Sequence, residues 1–168
     1  MKDEAGKTEE IFCVLTDVTA LKERAQERRE RESKIEALYS ATGRLVKATS
    51  RSEVAALIEE LVLNTFRYLA TSLQLRDGDQ LLPVRVSPRM RDLLPTLPSH
   101  HVEADTIVSE AYRSGDTILV EDLDERETVF DSGSLRSWAS IPLRDRGVLC
   151  IGSPAGDGIA GFDLRLLE

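Results

Sequence analysis

Between Ser50 and Leu69 the sequence spells out a complete amphipathic helix, start signal included. Ser50-Arg51-Ser52-Glu53 has the form of a capping box, in which the serine hydroxyl and the glutamate carboxylate satisfy each other's free backbone N–H groups. Behind it Val54, Leu57, Ile58, Leu61, Val62, Phe66 and Leu69 recur at 3.6-residue spacing and form a broad apolar face. A face that wide has to be covered, and the residues that follow supply strands to cover it. Residues 71–76 and 80–86 flank Asp77-Gly78-Asp79, a hairpin signal because glycine readily takes the positive φ of a tight turn.

Residues 87–100 hold Pro88, Pro95 and Pro98 and are expected to form a long ordered loop without regular structure. A short helix is expected from about Asp105 to Arg113, with Ile107, Val108 and Ala111 inward and Gly115 as its C-cap. Residues 117–120 read as a strand and the acidic stretch 121–134 as a second long loop. Residues 136–143 and 147–152 make another hairpin across Arg144-Asp145-Arg146-Gly147. Near the end Asp163 reads as a helix cap, with Phe162 and Leu167 as a hydrophobic staple. That helix has hardly begun at Glu168, so the expectation is a fragment or a trimmed domain. The expected fold is α+β: an antiparallel sheet of five to six strands, helices on one face, long loops on the other, and a long N-terminal helix.

The first fifty residues differ in character. Ile11-Phe12-Cys13-Val14-Leu15 reads as a single short strand, too little for a domain of its own. Residues 21–34 carry six basic and four acidic side chains with almost no apolar stripe, which predicts a solvated helix held by Glu-to-Arg pairs three and four residues apart. Beyond it Ile35, Leu38, Thr42, Leu45 and Thr49 fall at heptad a and d spacing. Two uses of that stripe stay open: a parallel homodimer through Ile35, Leu38 and Leu45, or a helix docked on its own domain. The organisation read from this is residues 1–20 as a strand remnant, 21–49 as a linker helix, and 35–168 as one globular domain of the 168 residues.

Charge and composition exclude several functions. The net charge of −8 repels phosphate backbones, which argues against direct nucleic-acid contact by this chain. No apolar run approaches the roughly 20 residues that span a bilayer, and Met1-Lys2-Asp3-Glu4 does not open a signal peptide, so a cytoplasmic address is the default. Cys13 and Cys150 lie inside apolar runs, where cysteine packs as a small hydrophobe. Gly156-Asp157-Gly158-Ile159-Ala160-Gly161 matches a dinucleotide-binding pattern, but too little sequence follows for the βαβ unit the pattern requires. An EF-hand begun at Asp122 would need glycine where Glu127 stands and glutamate where Gly133 stands. His100-His101 lack the further ligands of a metal site, and no nucleophile elbow, phosphate loop or kinase signature accompanies them. A catalytic role and a bound metal are therefore not expected, and no cofactor is indicated.

Four segments together carry a family resemblance: 111–123, Ser137-Trp138-Ala139-Ser140-Ile141-Pro142-Leu143, 147–153, and the closing 162–167. In order and spacing they resemble the GAF family of ligand-binding or purely regulatory sensor domains, over residues 35–168. Phe12 to Arg24, with Asp17-Val18-Thr19 at its centre, is similar to the exit of a PAS domain running into a signalling helix. The acidic balance and Arg-rich linker resemble haloarchaeal multi-domain sensors in which PAS and GAF modules precede a bacterio-opsin activator-like helix-turn-helix. The resemblance implies a sensor that binds a small molecule or relays a signal to a transcription-regulating output, or else a ligand-free dimerisation module. The Asn-Lys-Phe-Asp-Glu pattern of cyclic-nucleotide binders is absent, as is a cysteine in the segments where bilin binders attach their pigment. For a ligand, the expected residues are Arg136, Trp138 and Ser140 on one strand, with His100 and Phe130 from the loops. The alternative for Trp138 is that it is simply the largest core residue.

Overall fold

Local capping signals at Ser50 and Thr106 start two of the helices close to where the sequence places them. The computed structural model describes residues 17–68, 70–125, 134–154 and 158–168. The 11–15 strand, Cys13, Leu69, Phe130, Gly156 and Asp157 lie outside the described residues. The chain divides into two compact units, residues 1–33 and 34–168. In the first, α1 (Thr19–Leu45) begins where the Asp17 carboxylate accepts the Thr19 N–H at 2.9 Å, which holds that carboxyl below its usual range. Its turns there are solvated as expected, with Arg28 3.6 Å from Glu32 and Gln26 donating to Glu30 at 2.8 Å.

In the larger unit the inward side of α1 is Lys34, Ala37, Leu38, Ala41 and Leu45, whereas Ile35, Tyr39, Thr42 and Val46 are exposed. Helix α2 (Arg51–Leu61) starts at Ser50, whose hydroxyl accepts the Glu53 N–H at 3.2 Å. The Glu53 carboxylate accepts from the Thr49 N–H at 2.8 Å, one residue earlier than a capping box predicts. The helix widens into a π-helical turn (Val62–Phe66) that Arg67 ends at φ 61°.

Among the described residues six antiparallel strands follow: β1 (Ala70–Asp77), β2 (Gln80–Val86), β3 (His100–His101), β4 (Ile118–Val120), β5 (Leu135–Pro142) and β6 (Gly147–Pro154). Their order is β3-β2-β1-β6-β5-β4, so the first and last hairpins join at the centre through β1 and β6. The β1–β2 turn is made by Gly78 at φ 58°.

Each face of the sheet has its own core. On one, Leu73, Ala139, Ile141, Leu149 and Ile151 pack with Ala55 and Val62 of the α2 segment and Leu164 of α5 (Gly161–Leu167). On the other, Ala70, Leu81, Leu135, Trp138, Val148 and Cys150 pack under Met90 of α3 (Pro88–Leu93) and Ile107 and Val108 of α4 (Ile107–Ser114). The long connections cover this second face, and parts of them are helical.

The 87–100 segment is therefore not devoid of regular structure. Pro88 stands in the first turn of α3, where a missing N–H costs nothing, and Ser87 caps it by accepting the Met90 N–H at 3.2 Å. The same hydroxyl accepts the Thr71 N–H at 2.9 Å and ties α3 to β1. Helix α4 runs from the Thr106 cap to Gly115 at φ 73°, close to expectation. The Asp163 cap is overturned: α5 begins after Ala160, and Asp163 is buried in its first turn.

Candidate functional site

The α3/α4 face of the sheet carries a strip of polar side chains in an otherwise apolar core. Ser72 of β1 stands opposite Cys150 of β6, and Cys150 stands opposite Ser140 of β5. Gln74, two residues along β1 from Ser72 and so on the same face, is opposite Val148. All are buried, Gln74 to 0% exposure. The Trp138 Nε1–H donates to the Ser140 hydroxyl at 2.9 Å, so that pair is satisfied inside the protein. Gln74 is not: among the described residues neither its Oε1 nor its Nε2 has a hydrogen-bond partner. An unmade hydrogen bond of that kind costs about 1–3 kcal/mol per group, so the position is an expensive place for a glutamine unless something uses it.

Of the five sequence-derived ligand residues, the four that are described are not gathered in one place. Trp138 and Ser140 are together and buried. Arg136 is exposed on the same strand and ion-paired with Asp124. A register shift between Leu135 and Ser137 turns the strand there, so Leu135 and Trp138 face the core together and Arg136 is rotated out. His100 is buried on β3, opposite Leu81, and burial lowers its pKa. Four strand spacings separate β3 from β5, roughly 19 Å at about 4.8 Å each, too far for His100 and Trp138 to touch one small ligand. Phe130 lies outside the described residues. Sequence reasoning misses Gln74 and Ser72; a polar Ser72-x-Gln74 alternation facing a strand rich in apolar residues is the available signal.

Thiol chemistry is disfavoured at Cys150, because burial pushes the thiol up to about 12 while Ser72 and Ser140 beside it only partly oppose that. No group of three or more His, Cys, Asp or Glu among the described residues could hold a metal. No described helix is long and apolar enough to cross a membrane. An open cleft of about 330 Å³ lies on the opposite face, between α2 and the β1–β2 hairpin, with Ala55, Leu75, Leu82 and Val84 as floor and Arg51 and Arg85 at its rim. Arg85 is already engaged with Ser52 and Glu59, at 3.4 and 3.9 Å.

No protein-family model matches the sequence, and no curated protein matches it. Solved structures do match in fold. The GAF domain of a phosphoenolpyruvate-protein phosphotransferase from Coxiella burnetii superposes with a TM-score of 0.67 at 11% identity, over 82% of this chain and 87% of that one. The GAF domain of nlh2 from A. aeolicus in an inactive state gives a TM-score of 0.62 at 11% identity, over 82% of this chain and 88% of that one. The free methionine-R-sulfoxide reductase from Neisseria meningitidis in complex with its substrate gives 0.62 at 19% identity, over 95% of this chain and 89% of that one. The chain has the fold of GAF domains.

Proposed function

We propose, from that shared fold, that this chain is a non-catalytic sensor and relay module. A small molecule bound against the polar strip of the α3/α4 face shifts the connections that cover it, and the sheet and α1 pass the change to an output. The observation that carries this reading is Gln74, a fully buried amide whose donor and acceptor are both unmatched among the described residues. An amide so placed favours a ligand offering one acceptor and one donor, and a ligand with that preference for one state of the connections shifts their population. One of the structural neighbours is a reductase, but the buried thiol of Cys150 supports regulation over catalysis here.

Gln74→Leu tests it. Replacing both orphaned groups with an apolar isostere is expected to leave the melting temperature unchanged or higher, since nothing hydrogen-bonded is lost. Against a metabolite panel, a compound that raises the melting temperature of the wild type by mass action should no longer do so in Gln74→Leu. If no compound stabilises the wild type, the sensor reading fails.

A ligand-free dimerisation module is the second reading, favoured by Trp138, whose N–H is satisfied by Ser140 and whose ring fills the space above the sheet. Both readings include a homodimer through the N-terminal helix. Leu38 and Leu45 are half-buried in the single chain, so of the predicted stripe Ile35, Thr42 and Thr49 stay exposed, and Tyr39 (78% exposed) and Val46 are exposed outside that stripe. The double variant Ile35→Arg with Tyr39→Arg is expected to halve the mass seen in light scattering, and an unchanged mass would locate the interface elsewhere. The Asp17-Val18-Thr19 motif supports an upstream PAS module, and the haloarchaeal resemblance supports a downstream transcription-regulating domain; nucleic-acid contact is assigned to that output and not to this acidic chain.

A further inference from the structure

The first and last helices of the larger unit meet at one buried carboxylate. Asp163, in the first turn of α5, receives the Lys34 ammonium on both oxygens, at 2.7 and 2.8 Å. The Tyr68 hydroxyl donates to Asp163 Oδ2 at 3.0 Å and accepts the Ala160 N–H at 2.9 Å, just ahead of the same helix. The Lys34 ammonium also stands 5.6 Å from the centre of the Phe66 ring, a cation–π contact. Burial is the main reason the Tyr68 phenol is raised to about 12, so it stays a neutral donor beside the carboxylate. Three separate stretches of chain, α1, the π-helical turn with Tyr68 beyond it, and α5, therefore converge on Asp163, and none of the groups named belongs to the sheet.

The two ends of the ion pair differ in their access to water. The Lys34 side chain is 25% exposed and that of Asp163 is 4% exposed. A lysine on the rim has a hydrated alternative on its flexible stem. The carboxylate has none, but it keeps the Tyr68 hydrogen bond and its place at the start of α5, where negative charge is favoured. The lysine side is therefore the side from which the pair can open while Asp163 remains partnered. Lys34 is moreover the first residue of the larger unit.

We propose that Lys34, Tyr68 and Asp163 form a latch between α1 and α5, so that displacement of α1 at Lys34 is passed directly to the last helix without travelling through the sheet. The latch is a route separate from the sheet relay and does not depend on a ligand at Gln74; failure of the metabolite panel leaves it standing. Hydrogen exchange on the full chain tests it. In Lys34→Met the amides of Leu164 and Glu168 are expected to exchange about tenfold faster or more, while those of Leu149 and Ile151 in β6 keep wild-type protection, the pattern of local opening. Lys34→Arg, which keeps the charge, should restore most of the protection, and Tyr68→Phe should loosen α5 by less than Lys34→Met does. Unchanged α5 exchange in a folded Lys34→Met protein overturns the latch. So does equal acceleration in β6 and α5, which would make the pair a prop of the whole fold. If Lys34→Met does not fold, Asp163→Asn, which retains the Tyr68 contact, replaces it, and failure of both to fold overturns the latch as well.

Discussion

Trp138→Ala is expected to lower the free energy of unfolding by about 3–5 kcal/mol, the range for removing a buried aromatic side chain. The ring is 1% exposed and sits in the core formed by Leu135, Met90, Ile107 and Val148. Its removal forfeits that packing, leaves a cavity that strands on either side cannot close, and strips the Ser140 hydroxyl of its donor. Trp138→Phe should recover most of the packing and lose the hydrogen bond, for a smaller deficit of about 1–2 kcal/mol. Urea unfolding of the two variants measures both. A loss below about 1 kcal/mol for the alanine variant would mean that the indole is not a structural element of this face, contrary to its burial.

Gly147→Ala should be at least as damaging, by about 3 kcal/mol or more, for a different reason. A methyl group on Gly147 would stand 2.0 Å from the Gln74 carbonyl oxygen and 2.9 Å from the Leu75 Cα, both backbone atoms of β1. Backbone in the centre of a sheet cannot move aside as a side-chain tip can, and here it is held in the β1–β6 ladder in which Leu75 is the partner of Gly147. The φ of +157° at this glycine adds a conformation that side-chain-bearing residues seldom adopt. Gly78→Ala makes the contrast: nothing lies within 4 Å of the added methyl, so only the strain of its positive φ remains and the loss should stay near ~1 kcal/mol. Equal melting temperatures for the two variants would contradict the steric argument.

Elements whose cause is local can be read directly. The Ser50 cap and the apolar stripe behind it predict α2, Gly78 predicts the first hairpin, and the expected helix from about Asp105 with Gly115 as its C-cap is α4, whose N-cap is Thr106. Helix α3 is equally local, yet its three neighbouring prolines suggest an irregular loop, because Ser87-Pro88 serves here as an N-cap followed by a first-turn proline rather than as a breaker. The site is less legible. Period-two alternation puts Arg136 beside Trp138 and Ser140, and one register shift in β5 undoes it by turning the arginine to solvent and Asp124. His100 joins that strand only by its place in an expected loop, whereas the strand order sets it at the other edge of the sheet.

Helix starts and hairpin turns depend on backbone torsions and hydrogen bonds among residues a few positions apart, and the 168-residue sequence carries them in full. The pairing of β1 with β6, the isolation of Gln74 beneath α3 and α4, and the conversion of Asp163 from an expected cap into the anchor for Lys34 depend on contacts between residues far apart in the chain. Asp163 and Lys34 are the extreme case, 129 residues apart. No local pattern encodes such a contact, because a carboxylate in the first turn of a helix serves equally well as a cap, a surface charge or a buried ion-pair partner. The choice is made when the sheet closes and one of those environments removes the water.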